Sequence, residues 1–292
     1  MAAAIVTAPS RALLMVSLAL MAAVGTAAAL STKYYDKRCP GLQPAVRSAV
    51  ARAVAVDPSA GAAVLRLFFH DCFVNGCDAS VLLDDGAAPG EKGAAPNANS
   101  LRGYEVVDAA KAAAEAACPG AASCADVLAL AARDAVALLG GPSWAVRLGR
   151  LDARAASRDA ANAGLPGPGS GLPALVAAFQ AKGLPARDMT ALSGAHTVGR
   201  ARCAGRALAP LDAVTPDAFD NGYFRALVER RGLLHSNQEL FSGGSQDALV
   251  RRYARDGAAF AADFAKAMVR MGNLAPAPGT PLEVRVNCRR PN

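Results

Sequence analysis

The stretch that most constrains the fold is LRLFFHDCFVNGCDAS, residues 65 to 80, where an apolar helix pattern carries charged and titratable side chains. On a helix, Arg66 and His70 are four residues apart and share one face, with Phe69 beside them. A guanidinium and an imidazole on a buried face need polar partners or must line a cavity. For these two residues alone, a hydrogen-bonded core histidine and an arginine that reaches solvent are the alternative.

Oxygen-bearing residues follow at short intervals in a loop flanked by two cysteines. Carboxylates, a hydroxyl and backbone carbonyls are the hard ligands that Ca²⁺ prefers. The candidate ligands are Asp71, Val74, Gly76, Asp78 and Ser80. Cys72 and Cys77 can close a small ring around this loop. The loop therefore predicts a calcium site, and a solvated acidic turn is the alternative.

Helical patterns dominate the rest of the chain. Alanine-rich segments with few β-branched runs favour helix, and apolar residues recur at helical spacing. The predicted helices cover residues 42–57, 59–73, 101–118, 124–139, 174–182, 186–199, 217–232, 245–257 and 258–272. Residues 143–153 are expected to be extended, and 163–173 form a Pro/Gly loop. The sequence predicts an all-α protein with long functional loops.

Residues 1 to 29 have the composition of a secretory signal peptide: Arg11, then an apolar stretch, then small residues. A membrane anchor is the alternative, but the apolar run is too short to span a bilayer. We therefore expect one mature domain, residues 30 to 292, without membrane association once the signal is removed.

The chain has seven cysteines, and an exported protein meets an oxidising compartment where disulfides form. Because seven is odd, at least one thiol is left over. The formal net charge is +7, but no basic run with interleaved aromatics occurs, so a nucleic-acid partner is not expected. A mildly cationic exported protein can associate with a polyanionic matrix such as the cell wall; ordinary solubility is the alternative.

A second histidine motif, ALSGAHTVG, places His196 near the end of a predicted helix. Ser193, three residues earlier, raises the alternative of a serine hydrolase. No G-x-S-x-G elbow is present, however, and a serine and a histidine on one helix do not make a triad.

The first motif resembles the signature of the secretory plant haem peroxidases (class III), R-x-x-[FW]-H-D-C-F-V-x-G-C-D-A-S, without a break. The resemblance runs from YYDKRCP to VNCR. It implies a two-lobed all-α fold with haem b between a distal and a proximal lobe. It also implies that His70 is the distal acid–base, Arg66 the transition-state stabiliser and Asn97 the residue that orients His70. Phe69 would shield the haem edge.

The second motif resembles the proximal motif of the same family. That resemblance implies that His196 is the axial ligand of the haem iron. A carboxylate should accept the other ring N–H of such a ligand, and Asp247 is the residue expected to do so. Pro166, in a loop similar to the family's N-L-P-x-P region, would contact aromatic donors through its carbonyl.

The resemblance also implies two Ca²⁺ sites. In the distal site, Glu91 would support the ion through water, in addition to the five ligands given above. The proximal site would take its ligands from Thr197, Asp212, Thr215, Ala218 and Asp220. Without the resemblance, the segment DAVTPDAFD would be a capped helix start.

Six cysteines are expected to pair as in the family. The implied pairs are Cys39 with Cys118, Cys72 with Cys77, and Cys124 with Cys288. The chain departs from the family after Cys203, where the segment that normally carries the partner cysteine is shortened. Cys203 is therefore expected to be a free thiol, and a bond to another molecule is the alternative.

These observations predict a secreted haem peroxidase, extracellular, in the cell wall or in the vacuole. It would act as a monomer, reduce hydrogen peroxide and oxidise small phenolic donors by one-electron steps. The alternative is a catalytically impaired haem- or matrix-binding protein, because of the shortened proximal segment. A haem-free calcium-binding domain is a third hypothesis.

Overall fold

The computed structural model describes residues 29–86, 89–202 and 207–292, and most of them are helical. The predicted signal peptide, apart from its last residue, and Cys203 lie outside the described residues. The helices are α1 Leu42–Val56, α2 Ser59–Asn75, α3 Tyr104–Ala117, α4 Cys124–Leu138, α5 Arg158–Gly164, α6 Leu172–Ala181, α7 Ala186–Ser193, α8 Gly222–Val228, α9 His235–Gln238, α10 Asp247–Arg255 and α11 Gly257–Gly272.

Shorter elements join these helices. Four 3₁₀ turns cover Ser80–Leu82, Glu91–Gly93, Gly194–Thr197 and Glu239–Phe241. Strand β1, Asp152–Ala153, pairs antiparallel with β4, Leu282–Glu283; β2, Arg200–Arg202, pairs antiparallel with β3, Leu208–Pro210. The prediction of an all-α fold is confirmed. No helix of the described part has the length and apolarity that crossing a membrane requires.

The first lobe is built on α4. Ser123 caps this helix by accepting a hydrogen bond from the Asp126 backbone N–H. Twelve of its fifteen residues are buried, and many are alanines, whose small side chains let neighbouring helices approach closely. Helices α1, α2 and α3 all pack against it. This packing fixes α2, the helix that carries Arg66 and His70.

The second lobe contains α7 to α11 and has an aromatic core. Phe224, Phe260 and Phe264 are fully buried, and the rings of Phe224 and Phe260 meet edge to face at 4.9 Å between centroids. Helix α7 packs on α11, and α8 packs on α10. Helix α11 also contacts α2, so the two lobes meet along that helix.

Several elements differ from the sequence-based predictions, among them helix α9 and the short strands β2, β3 and β4, which were not predicted. Residues 143–153 are mostly irregular, with an isolated bridge from Ser31 to Leu148 and the short strand β1. Helix α5 was not predicted; Ser157 caps it by accepting from the Ala160 N–H. The predicted helix 217–232 begins only at Gly222, because the preceding carboxylate of Asp220 accepts the Gly222 N–H and holds the chain in a turn.

A hairpin of β2 and β3 spans the shortened segment that contains Cys203. Arg200 reaches out of it and forms two hydrogen bonds to the Asp217 carboxylate, at 2.9 and 3.0 Å. The Gly199 N–H donates to the Pro216 carbonyl at 3.0 Å. These bonds connect the end of the His196 motif directly to the segment that follows the hairpin.

The described residues contain three disulfides, Cys39–Cys118, Cys72–Cys77 and Cys124–Cys288. They are the pairs that the resemblance implied. The first links the start of α1 to the end of α3, and the third links the start of α4 to the carboxyl-terminal segment. Each fixes a helix end of the first lobe.

Removal of the Cys39–Cys118 disulfide by a C39A/C118A double substitution should lower the free energy of unfolding by about 4 kcal/mol, because it releases a loop of 79 residues. The C72A/C77A variant opens a separation of only 5 residues and should lose about 2 kcal/mol. Urea denaturation of both variants and the parent measures this. If C72A/C77A lost as much free energy of unfolding as C39A/C118A, or more, loop entropy would not be the main way in which these disulfides stabilise the fold.

Candidate active site

His70 lies on α2 between two hydrogen-bond partners. Its Nδ1 is 2.6 Å from Asn97 Oδ1, and its Nε2 is 3.1 Å from Arg66 Nε. Asn97 is itself fixed, because its amide donates to the Glu91 carbonyl at 2.9 Å. An amide oxygen can only accept, so the ring proton is on Nδ1 and Nε2 carries the lone pair. The structure thus brings together the three residues predicted for the distal site.

Burial, together with the smaller effect of the Arg66 charge, lowers the pKa of His70 to about 3. The imidazole is therefore neutral at neutral and mildly acidic pH and is ready to accept a proton. Hydrogen bonding to Asn97 raises the pKa but is a smaller effect than burial.

Arg66 is held in place by Pro96 and Ser100, which lie on either side of Asn97 and which the sequence did not single out. Its Nη1 donates to the Ser100 carbonyl at 3.1 Å, and its Nη2 donates to the Pro96 carbonyl at 3.0 Å and to Ser100 Oγ at 3.1 Å. Three hydrogen bonds therefore fix the guanidinium. No carboxylate of the described residues pairs with it, so its positive charge is available to a negatively charged group in the cleft.

Phe69 forms an apolar wall next to the imidazole. Its ring meets that of His70 edge to face at 5.8 Å and stacks on Phe73 at 4.8 Å. Phe179 of α6 lies behind both phenylalanines. These contacts fix the ring of Phe69 beside the imidazole; its role in shielding a cofactor edge stays a prediction.

His196 lies in the 3₁₀ turn Gly194–Thr197, which continues α7. Its Nδ1 is 2.9 Å from Asn237 Oδ1 on α9, and burial lowers its pKa. Its Nε2 has no hydrogen-bond partner among the described residues. Gly194 lets this turn pack on the aromatic core, because a Cβ there would lie 2.8 Å from Phe224 Cε2 and closer still to Phe260.

The prediction that Asp247 accepts the His196 N–H is wrong. Asp247 is the first residue of α10, and its carboxylate accepts the N–H groups of Gly243 and Gly244, at 3.2 and 3.1 Å. The Asp247 carboxylate thus closes the turn that precedes α10, and a negative charge is also favourable at the start of a helix. The partner of His196 is Asn237, in the segment HSNQEL; an amide does not match the carboxylate that the motif leads one to expect.

Arg66 and His196 are both reached by solvent, yet burial lowers the pKa of each. Side chains that solvent reaches, but that protein atoms largely surround, line the inside of a cleft. The charges of Arg66 and His196 each lower the pKa of His70. A metal-binding imidazole with a free Nε2 on one side and polar groups on the other fits a haem between the lobes.

Pro166 lies in the loop between α5 and α6 and is half-buried. The Ser236 N–H donates to the Pro168 carbonyl at 2.9 Å, and the Leu172 N–H donates to Glu239 at 3.1 Å. The loop is thus attached at both ends to the segment that carries Asn237. No polar contact of Pro166 itself is present among the described residues.

The distal oxygen cluster contains buried polar atoms without partners. Within the described part of the chain, both carboxylate oxygens of Asp71, both of Glu91 and the Ser80 hydroxyl have no hydrogen-bond partner. Burial raises the pKa of Asp71 and Asp78, and that of Glu91 to about 7. Unpaired buried groups of this kind are costly, and a cation among them would satisfy all three carboxylates. The donor set therefore fits Ca²⁺.

Val74 and Gly76 were predicted to add backbone carbonyls to this cluster. Gly76 has a φ of +95°, and a Cβ there would lie 2.5 Å from the Ala275 carbonyl carbon, so only glycine fits. The Val74 carbonyl accepts from Lys182 Nζ at 2.8 Å. The described residues contain no group of three His, Cys, Asp or Glu side chains arranged to hold a metal; the predicted direct ligands include only two carboxylates.

The proximal oxygen cluster is assembled despite the shortened segment. The Thr197 hydroxyl lies 3.3 Å from Asp212 and 3.1 Å from Asp220, and the Thr215 hydroxyl lies 3.3 and 3.0 Å from the same carboxylates. Ala218 follows in the same turn, its N–H donating to the Thr215 carbonyl. Hydroxyls and amides already satisfy these carboxylates, unlike those of the distal cluster.

Comparison with known proteins identifies the relatives of this chain. Residues 46–256 match the family model described as Peroxidase. Peroxidase P7 of Brassica rapa is 48% identical, over 90% of this chain and 100% of that protein. Peroxidase 70 of Zea mays is 49% identical, over 95% and 97%, and Peroxidase 68 of Arabidopsis thaliana is 49% identical, over 91% and 92%.

Gly194 should be required for the placement of His196. The G194A variant adds a methyl group against Phe224 and Phe260 and should lower the free energy of unfolding by about 1–3 kcal/mol. A Cβ added at Gly169 would meet no atom within 4 Å, so G169A is the matched control and should stay within about 0.5 kcal/mol of the parent. Equal stability of the two variants in urea denaturation would contradict the packing described for this turn.

Proposed function

The chain belongs to the plant secretory peroxidase family and is a haem-dependent peroxidase, and from this premise we propose that His196 holds the cofactor while His70 moves the proton of hydrogen peroxide. The observation that carries the proposal is the placement of His70 between Asn97 Oδ1 and Arg66 Nε. It leaves a neutral imidazole with its lone pair on the cleft side.

Haem, when bound, supplies the iron that exchanges electrons with peroxide and with the donor. On the chain's side, His196 would bind it through Nε2, with Nδ1–H directed to Asn237. Phe69 would cover one edge of the cofactor. The free Nε2 and the solvent-reached cleft support this assignment.

His70 serves as base and then as acid. Its Nε2 accepts the proton of the incoming peroxide, since burial keeps the imidazole neutral. The same nitrogen then returns the proton to the oxygen that leaves as water. The hydrogen bond from Nδ1 to Asn97 keeps the second ring nitrogen protonated throughout, so Nε2 alone carries the exchange.

Arg66 stabilises the negative charge that develops as the O–O bond breaks. A preorganised cation needs no reorganisation at that moment. Its bonds to Pro96 and Ser100 hold the guanidinium beside His70. Peroxide would replace the bond from Arg66 Nε at His70 Nε2 when it enters, while the bonds to Pro96 and Ser100 keep the guanidinium in place.

The donors are proposed to be small phenols that approach near Pro166. The carbonyl of this residue can accept a phenol hydroxyl, and the loop is anchored beside α9. We further propose that the protein is monomeric and acts in the extracellular space, the cell wall or the vacuole. Its net charge of +7 suits association with acidic wall polymers.

Two Ca²⁺ ions are proposed as structural cofactors. The distal ion would be held by Asp71, Asp78 and Ser80 with the carbonyls of Val74 and Gly76, and Glu91 would bind through water. The unpaired oxygens of Asp71 support this site most strongly. The proximal ion would insert among the residues that already converge there, Thr197, Asp212, Thr215, Ala218 and Asp220, replacing the hydroxyl-to-carboxylate bonds.

The competing hypotheses have less support. A catalytically impaired protein is not favoured, because the histidine and the oxygen cluster of the proximal side are assembled. A serine hydrolase finds no support, because the Ser193 hydroxyl donates to the Met189 carbonyl within its own helix, at 2.9 Å. We propose that Cys203 stays a free thiol, since the other six cysteines pair.

The H70L variant should retain haem but react with hydrogen peroxide about 10²- to 10⁴-fold more slowly, because the proton acceptor is lost. Stopped-flow measurement at the haem absorption band, with haem content checked in parallel, tests this. His235 is the matched control, since its side chain is 61% exposed and H235L should leave the rate unchanged. An unchanged rate in H70L would remove this residue from the mechanism.

Calcium binding should be stoichiometric and should depend on Asp71. Equilibrium dialysis should give two ions per chain for the parent and one for D71N. At a free Ca²⁺ concentration of about 100 times the dissociation constant, each bound ion should raise the free energy of unfolding by about 2.7 kcal/mol. The exposed Asp36 supplies the control D36N, which should still bind two. A D71N variant that binds as many ions as the parent would exclude the distal assignment.

A further inference from the structure

The partner of His196 is a neutral amide. Asn237 Oδ1 lies 2.9 Å from His196 Nδ1, and Asn237 is only 2% exposed. No acidic side chain of the described residues forms a hydrogen bond to His196, and the only charge that perturbs its pKa is the positive one of Arg66. The Nδ2 of Asn237 has no partner in the described part of the chain, so the amide is committed to this one bond through its oxygen.

The direction of this bond follows from what the other ring nitrogen does. An imidazole that gives its Nε2 lone pair to a metal keeps its proton on Nδ1. Nδ1–H therefore donates, and Oδ1 of Asn237 accepts. The partner of a metal-bound imidazole sets its orientation and its basicity. A carboxylate bears a full negative charge and draws the proton strongly; an amide oxygen bears only a partial charge.

The other groups near His196 do not supply the negative charge that an amide partner lacks. The ring of Tyr223 packs edge to face on His196 at 6.0 Å between centroids, and its hydroxyl is buried without a partner among the described residues. Arg66, across the cleft, adds positive potential. The imidazole of His196 is thus held in a neutral to positive environment.

We propose that Asn237 is the positioning residue for the axial imidazole and that its neutral amide leaves His196 a weaker electron donor than a carboxylate partner would. The inference rests on the axial role assigned to His196 under the proposed function. A weaker donor stabilises the iron less in its ferric state, so the ferric/ferrous reduction potential should be higher than with a carboxylate at this position.

The test uses the haem-loaded protein and the N237D variant. Spectroelectrochemical titration should give a lower ferric/ferrous potential for N237D than for the parent at pH values from about 6 to 9, where the introduced carboxyl is ionised. Resonance Raman of the ferrous form should show the iron–imidazole stretch at higher frequency. N237A removes the acceptor and should weaken haem retention about 10- to 100-fold.

Asn287 provides the matched control. It is exposed, and its Oδ1 accepts from the Arg289 N–H at 2.8 Å, so N287D keeps that bond and adds the same charge far from His196. Its potential should equal that of the parent. A potential in N237D that is equal to or above the parent value throughout the pH range overturns the inference. Failure of the parent to take up haem would instead refute the axial assignment, so the two failures are distinguishable.

Discussion

The hydrogen bond from His70 Nδ1 to Asn97 Oδ1 is the interaction on which the rest of the site depends. It fixes the tautomer, and so decides which nitrogen faces the cleft. Asn97 is oriented by the Glu91 carbonyl, while the carboxylate of Glu91 belongs to the distal oxygen cluster. The proton-handling residues and the proposed cation site therefore share one piece of backbone. A cation bound there would hold Asn97, and through it His70.

The proximal side repeats this arrangement. His196 is followed directly by Thr197, just as His70 is followed by Asp71, and each following residue enters an oxygen cluster. A cluster next to each histidine restricts the backbone where a small displacement would alter the chemistry. The two sides differ in charge. In the distal cluster the carboxylates of Asp71 and Glu91 have no partner among the described residues, whereas hydroxyls and amides satisfy the carboxylates of the proximal cluster.

Much of this could be predicted from the sequence, because its strongest signals are local. Helical spacing located α1, α2 and α4 to within a few residues, and the i, i+4 relation placed Arg66 beside His70. The contacts that failed or were missed are long-range. Asp247 was assigned to His196 by motif, but the partner comes from another helix, 41 residues from His196. Likewise, Pro96 and Ser100 anchor Arg66 from 30 and 34 residues away, and no local pattern marks them.

The shortened segment after Cys203 shows why the local motifs matter more than the length of the connection. The chain leaves Thr197, passes through β2 and β3, and returns to Asp212 fifteen residues later. Loop-closure entropy grows slowly with length, so a short hairpin can join these points as well as a longer excursion. The pairing of β2 with β3 and the Arg200–Asp217 ion pair hold this connection in place. The site is kept because His196 and Thr197 directly follow α7, and Thr215, Ala218 and Asp220 directly precede α8, so both helices hold these residues from outside the shortened part.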